Sequence, residues 1–383
     1  MVVKTVSLYK YFSWYLAKNQ AQSILSRIPS IVTVAIEVIG PHLILKIKAI
    51  RLVDCGSVPF CCQGCRRSCV NNGLDQLIRA ASATCDALPL EMLFNWPSIP
   101  DLEIMEYSRE GKRTYKLSKA HVILRYRMPQ TLIFYIPGWW NTPTDESSQT
   151  LAKALLNKNS LFLILDTRVV FCRGYISSAS RIKGVSQKVY KFLKNLYNDR
   201  YPLSSVHLIG FSLGAHVSGM VGKFVQNRLN RKIGKITALD PARPCFTQTS
   251  KYRLDKRDAK FVHVIHTSAG VLGLEQPIGH TDVYVNGVSA PQPECREKAV
   301  SLECDHAQAW RLFSASVMNE RALVGRKCKS WNELSSDRCS GNDTLVGYGC
   351  NVDLRGMFLY KSQEISRRIN VFNPFDIKTW WTS

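Results

Sequence analysis

The chain has 383 residues, 45% hydrophobic and 21% charged, which excludes a disordered polymer and leaves room for one large domain or two small ones. A formal net charge of +22 points to an anionic partner: nucleic acid, an acidic polysaccharide or a negatively charged lipid surface. No basic helix or zinc-finger spacing accompanies that charge, which argues against nucleic acid, and 13 cysteines favour an oxidising compartment, with secretion the expected address.

In chain order, residues 1–84 lack the features of an ordinary leader. Lys4 and Lys10 interrupt the first apolar stretch. The second, 28–45, is broken by Glu37, Gly40 and Pro41, and is too short and polar for a membrane span. Cys55, Cys61, Cys62, Cys65 and Cys69 then crowd together without a histidine, which favours local disulfides over a zinc knuckle. Residues 1–84 are therefore expected to form a leader or cysteine-containing arm, and 85–383 the main domain. From Cys85 the pattern is regular. Apolar runs predict strands over 131–136, 161–165, 206–209, 233–239 and 261–266. Helical spacing predicts helices over 148–157 and 185–197, after the turn at 210–214, and after His306. Such alternation predicts an α/β architecture, a mostly parallel sheet with helices on both faces.

The turn Gly210, Phe211, Ser212, Leu213, Gly214 is the most informative stretch, because it joins a buried strand to a helix. A serine on such a sharp turn projects its hydroxyl into a cleft, and glycines on either side let the flanking segments approach. Serine becomes a nucleophile when a histidine takes its proton and a carboxylate fixes the histidine's tautomer, in the chain order serine, acid, histidine. Asp240 follows the strand ending at Leu239 and precedes Pro241, which puts a carboxylate at the same end of the sheet; the other reading is a turn-capping aspartate. His207, His216, His263 and His266 lie in strands or the helix after the turn and read as structural. His306 follows Cys304 and Asp305 and is expected to open a helix on a loop pinned by a cysteine. A second turn, Tyr135 to Trp140, offers the Trp139 amide as a partner to the Leu213 amide in an oxyanion hole.

Together these residues resemble the pancreatic lipase family over roughly 85–375. The motifs that carry the resemblance are GFSLGAHVSG around Ser212, LDPARP around Asp240, DAKFVHVIHT from Asp258, and CDH ending at His306. The resemblance implies an α/β-hydrolase fold without the family's C-terminal β-sandwich. It also implies Ser212 as nucleophile, Asp240 as acid, His306 as base, and the Trp139 and Leu213 amides as oxyanion hole. Cys295 and Cys304 would close a lid of only 296–303, and the segment 266–280 is short. Both loops resemble those of secreted insect phospholipases A1, whereas long-lid members are typically triacylglycerol lipases. Further implied disulfides are Cys328 with Cys339 and Cys85 with Cys172, leaving Cys245 and Cys350 without assigned partners. Pro137 stands where lipases usually have histidine, and Asp166, Thr167 where they have aspartate then tryptophan. Arg253, Asp255 and Asp258 match a calcium loop, but Ser250 replaces its remaining acidic ligand, so an ion-pair loop with Arg253 and Lys256, and no metal or other cofactor, is expected. The implied function is phospholipase A1 acting at a lipid interface, with no nucleic-acid or protein partner. The alternatives are triacylglycerol or galactolipid hydrolysis, and a non-enzymatic lipid-binding role like that of yolk proteins that keep the fold. Asn342, Asp343, Thr344 form a glycosylation sequon consistent with secretion.

Overall fold

The computed structural model describes residues 37–39, 42–44, 80–85, 99–127, 129–156, 158, 160–247, 251–288, 291–296 and 301–362. The start of the chain, the cysteine cluster from Cys55 to Cys69, Ser250 and lid residues 297–300 lie outside these.

The strands are β1 (Glu37–Ile39), β2 (His42–Ile44), β3 (Glu103–Ser108), β4 (Gly111–Lys116), β5 (Thr131–Ile136), β6 (Ser160–Asp166), β7 (Val206–Phe211), β8 (Ile233–Leu239), β9 (Ala259–His266), β10 (Thr281–Val285), β11 (Val324–Cys328), β12 (Asp343–Leu345) and β13 (Gly356–Tyr360). β1 and β2 pair as a small antiparallel ribbon. The others form an 11-stranded sheet in the order β12-β11-β13-β10-β9-β8-β7-β5-β6-β3-β4. From β13 to β6 every neighbouring pair is parallel, and antiparallel strands finish both edges.

Alternation along the central strands divides the interior into two cores. On β5, Leu132, Phe134 and Ile136 face one cluster, which includes Val185, Val189 and Leu193 of the helix Ile182–Asn198 and Val217 and Val221 of the helix Leu213–Leu229. Ile133 and Tyr135 face the other, with Leu151 and Leu155 of the helix Glu146–Leu155 and Ala309, Leu312 and Phe313 of the helix Ser301–Met318. Strands covered on both faces read as near-continuous apolar runs, as β5 does, and both β5 and β8 have the bounds their sequence predicts. The helix carrying His306 differs from expectation. It begins at Ser301, so His306 lies in its second turn rather than opening it.

The connection at the start of the domain also requires a correction. Cys85 is bonded to Cys245, not to Cys172, with 4.8 Å between the Cα atoms. Residues 80–85 are helical, and Ala81 and Cys85 are buried with Cys245 and Phe246 in the first core. Cys245 follows β8 in a turn that this packing brings beneath Cys85. Spacing along the chain carries no record of that approach. The expected bridges Cys295–Cys304 and Cys328–Cys339 are both present. Cys350 is buried, which pushes its thiol up to about 11 and leaves it a poor partner for another chain. Among the described residues no helix is long and apolar enough to cross a membrane.

Candidate active site

Chain order reverses between β5 and β7: β6 lies on one side of β5, while β7, β8, β9 and β10 run outward on the other. Loops at the carboxyl ends of strands diverge at such a reversal and leave a crevice. The Pro137–Trp140 loop leaves β5 there, and Ser212 leaves β7.

Ser212 adopts φ 54° and ψ −118°, a conformation that costs a non-glycine residue of order 1–3 kcal/mol and persists only where neighbours enforce it. Hydrogen bonds from neighbouring segments enforce it. The Ser212 amide donates to Leu239 O at 3.0 Å, while Ser212 O accepts from Ala215 N at 3.1 Å and Ala242 N at 3.3 Å. Close packing completes the turn, since a Cβ on Gly214 would lie 2.0 Å from Ile136 O and one on Gly210 2.4 Å from Gly214 O. Any side chain at Gly214 would push β5 away from the helix start.

Asp240 is fully buried and also sits at positive φ, 42°. Its two oxygens have separate duties. Oδ1 accepts from the amides of Thr267 at 2.9 Å and Ser268 at 3.1 Å. Oδ2 is 2.5 Å from His306 Nδ1. A carboxylate against Nδ1 places the proton on that nitrogen and leaves Nε2 with a lone pair. The His306 ring lies 4.5 Å from the Phe211 ring, so the imidazole reaches the residue immediately before Ser212. The side chain of His306 is 12% exposed and Ser212 6% exposed, which is the accessibility of a narrow cleft.

The Pro137–Trp140 loop runs beside the serine, for a Cβ on Gly138 would stand 2.9 Å from Ser212 Cβ. The Trp139 indole stacks on Trp140 at 4.0 Å, meets Tyr175 edge-on at 5.2 Å, and donates from Nε1 to Arg173 O at 2.7 Å. These contacts anchor the ring and fix the peptide that carries its amide. Leu213 is the first residue of its helix, so its amide has no carbonyl acceptor within that helix.

His207, His216, His263 and His266 are buried and engaged elsewhere. His207 pairs with Thr237 Oγ1, His216 with Ala242 O and Leu254 N, His263 with Val346 O, and His266 with Leu274 O and Asp282. Burial holds His216 and His263 low, at about 3, so both are neutral.

The calcium-like loop is built on ion pairs. Asp258 accepts from Lys223 Nζ of the helix after Ser212 at 2.6 Å, and Asp255 accepts from Arg257 Nε at 2.7 Å. Asp255 and Asp258 also cap each other's backbone in a capping box. Burial pushes Asp258 up to about 6 despite the lysine beside it. Among the described residues no group of three metal-ligating side chains could hold an ion. Lys223→Met strands a buried carboxylate, and urea unfolding should show a loss of about 3 kcal/mol, with calcium or a chelator changing neither protein.

The lid root, which the sequence did not single out, is wired to Thr267, whose amide holds Asp240. Gln292 donates from Nε2 to Thr267 O at 2.8 Å and to Val285 O at 3.0 Å, and its amide donates to Asp305 Oδ1 at 2.7 Å. Asp305 is fully buried, its Oδ2 has no hydrogen-bond partner, and burial raises its pKa from 3.8 to about 6. A raised acid keeps its proton in the folded state while the unfolded chain releases it. Its contribution to stability is therefore full below about 4 and lost as pH rises to about 6. Asp305→Asn should melt several degrees above the parent at pH 7 and level with it at pH 4, measured by calorimetry.

A serine on a strand-to-helix turn of a largely parallel sheet, with an acid just beyond a later strand and a histidine on a later helix, defines the α/β-hydrolase class. The Lipase family model matches residues 102–353, and the chain belongs to that family, the pancreatic lipase family. It is 30% identical over 279 residues to the pancreatic triacylglycerol lipase of Myocastor coypus, covering 66% of this chain and 60% of that one. It is 33% identical over 271 residues to phospholipase A1 4 of Polistes dominula, covering 66% of this chain and 83% of that one. To phospholipase A1 member A of Bos taurus it is 38% identical over 170 residues, 43% of this chain and 36% of the other. A phospholipase/carboxylesterase of Dyadobacter fermentans aligns at TM-score 0.30 and 13% identity over 55% of this chain and 85% of that one.

Proposed function

We propose that this chain is a secreted serine carboxylester hydrolase acting on glycerolipids, and specifically a phospholipase A1 that releases the sn-1 acyl chain. The observation that carries the chemistry is the Asp240–His306 contact of 2.5 Å, with the His306 ring 4.5 Å from that of Phe211, the residue before Ser212, which is held at φ 54°. In this reading His306 Nε2 takes the Ser212 proton as Oγ attacks the ester carbonyl, and Asp240 stabilises the imidazolium that forms. The Trp139 and Leu213 amides receive the oxyanion; one such donor is typically worth about 2.7–4 kcal/mol. His306 then protonates the leaving lysophospholipid oxygen, and water, activated by the same ring, releases the fatty acid from Ser212. Pro137 contributes no amide, but the donors named here come from its neighbours.

Support for a phospholipid substrate comes from the loops. The Cys295–Cys304 ring spans a sequence separation of 9, and the loop after β9 is folded on itself by Val271 N→Ser268 O at 3.1 Å and Gly270 N→Gly273 O at 3.0 Å. Neither is a long flap that would cover an apolar groove until an interface opened it. The likeness to Polistes dominula phospholipase A1 spans most of that chain. The net charge of +22 suits an anionic interface, and three disulfides among the described residues suit secretion.

The test is fatty-acid release from phosphatidylcholine and triolein by the full chain, with Ser212→Ala as control. Release of the sn-1 chain from phosphatidylcholine, absent in the variant, is expected. Preference for triolein would make it a triacylglycerol lipase, and no release by folded protein would leave a lipid-binding role.

A further inference from the structure

Histidine 266 ends β9 and Asp282 is the second residue of β10, so the two bracket the loop 267–280. Both are buried. His266 Nδ1 lies 2.9 Å from Leu274 O, which can only accept a hydrogen bond. Nε2 lies 2.9 Å from Asp282 Oδ1. That carboxylate already accepts the amides of Ile278 at 3.0 Å and Gly279 at 3.2 Å, with a further bond from Gly279 to Oδ2 at 3.0 Å. Each of these amides can only donate, so the carboxylate is the acceptor in every one of these bonds. A neutral imidazole has one N–H and cannot serve two acceptors.

The loop braced in this way is the one that grips Asp240. Thr267 and Ser268 supply both amides to Asp240 Oδ1. Gly273 packs so tightly on the carboxylate that a Cβ there would lie 2.3 Å from Oδ1. Leu274, whose carbonyl His266 holds, donates its own amide to Pro241 O at 2.8 Å, and Leu272 O accepts from Arg243 N at 2.7 Å. The segments on either side of the carboxylate are thus tied together through Leu274. Tyr284 adds a second brace, stacking on the His266 ring at 4.3 Å and donating from its hydroxyl to Glu275 O at 2.7 Å.

We propose that His266 is a doubly protonated positioning residue, and that its buried ion pair with Asp282 holds the 267–280 loop in the one arrangement that orients Asp240 toward His306. Buried ion pairs are poor sources of net stability and are best justified by the single geometry they specify. Here that geometry is the aim of a carboxylate. His266 itself touches neither Ser212 nor His306; it acts through Leu274 and the amides that hold Asp240.

The test uses the full chain labelled with ¹⁵N-histidine, alongside His266→Gln and Asp282→Asn. At neutral pH the signals lost in His266→Gln should show both ring nitrogens protonated in the parent, and a low-field proton should report the Asp240–His306 contact. In either variant that low-field proton should disappear or broaden while near-UV dichroism is kept. For a soluble ester, kcat should fall about 10- to 100-fold with KM nearly unchanged, the penalty for a misplaced group of this kind. A single ring N–H on His266, its signals assigned in the parent through the ring's contact with Tyr284, would overturn the proposal even if neither variant folds. So would folded variants that keep both kcat and the low-field proton. The kinetic arm rests on the hydrolase reading; should the parent cleave no ester, that reading fails while the two nitrogen and proton signals still decide this one.

Discussion

Asp240→Asn is expected to lower kcat by about 10⁴-fold while leaving the protein folded, the effect of presenting a catalytic histidine with the wrong tautomer. The geometry says how. Asparagine is tolerated at φ 42°, and its oxygen can still accept from Thr267 and Ser268 at the place of Oδ1. Those two amides can only donate, so the asparagine NH₂ is forced into the position of Oδ2, facing His306 Nδ1. A donor there makes Nδ1 the acceptor and moves the ring proton to Nε2. That nitrogen can then no longer take the proton of Ser212. Unfolding curves and near-UV dichroism should match the parent, and kcat for a soluble ester decides the matter. A loss of less than tenfold would remove Asp240 from the proposed role.

The parts of this architecture that sequence reveals are those where side chains do the work. β5 is a near-continuous apolar run because helices cover both faces of the sheet, and the ends of β5 and β8 match expectation to the residue. Ser212, Asp240 and His306 stand out because nucleophile, acid and base require particular side chains in a particular chain order, and the fold brings Asp240 and His306 into contact. β4, GKRTYK, is an edge strand with mostly exposed residues, and nothing in its pattern distinguishes it from a loop. The start of the His306 helix was obscured for a related reason. Its first turn, Ser301 to Cys304, is polar and ends in a disulfide cysteine, so the apolar spacing begins only beyond the histidine. The grip on Asp240 was invisible because Thr267 and Ser268 act through backbone amides, which every non-proline residue possesses. Gln292, Asp305 and the His266–Asp282 pair left no spacing signal either, since their partners lie on separate elements of the fold.

The Cys85–Cys245 bridge should matter more to stability than either smaller ring, and removing it as Cys85→Ser, Cys245→Ser is expected to cost about 5 kcal/mol. The magnitude follows from the loop it closes. Its sequence separation is 160, against 9 for Cys295–Cys304 and 11 for Cys328–Cys339. In the chain-entropy model the first restricts the unfolded chain by about 5 kcal/mol and the two smaller ones by about 3 kcal/mol each. Its position adds a functional consequence that the smaller rings do not share. Cys245 stands a few residues beyond Asp240, next to Phe246, which stacks on His216 at 3.8 Å, and to Pro244, whose carbonyl accepts from Tyr175 at 3.0 Å. The bridge therefore ties residues 80–85 to the turn that leaves the acid. Urea unfolding of both double-serine variants, with the lid pair as reference, measures the difference directly. Because Phe246 and Pro244 keep their own contacts, the Cys85 variant should lose stability well before it loses kcat at 25 °C. Equal stabilities for the two variants would mean that residues 80–85 stay docked through packing of Ala81 and its neighbours, or that the unfolded chain is already compact enough for the long bridge to restrict little.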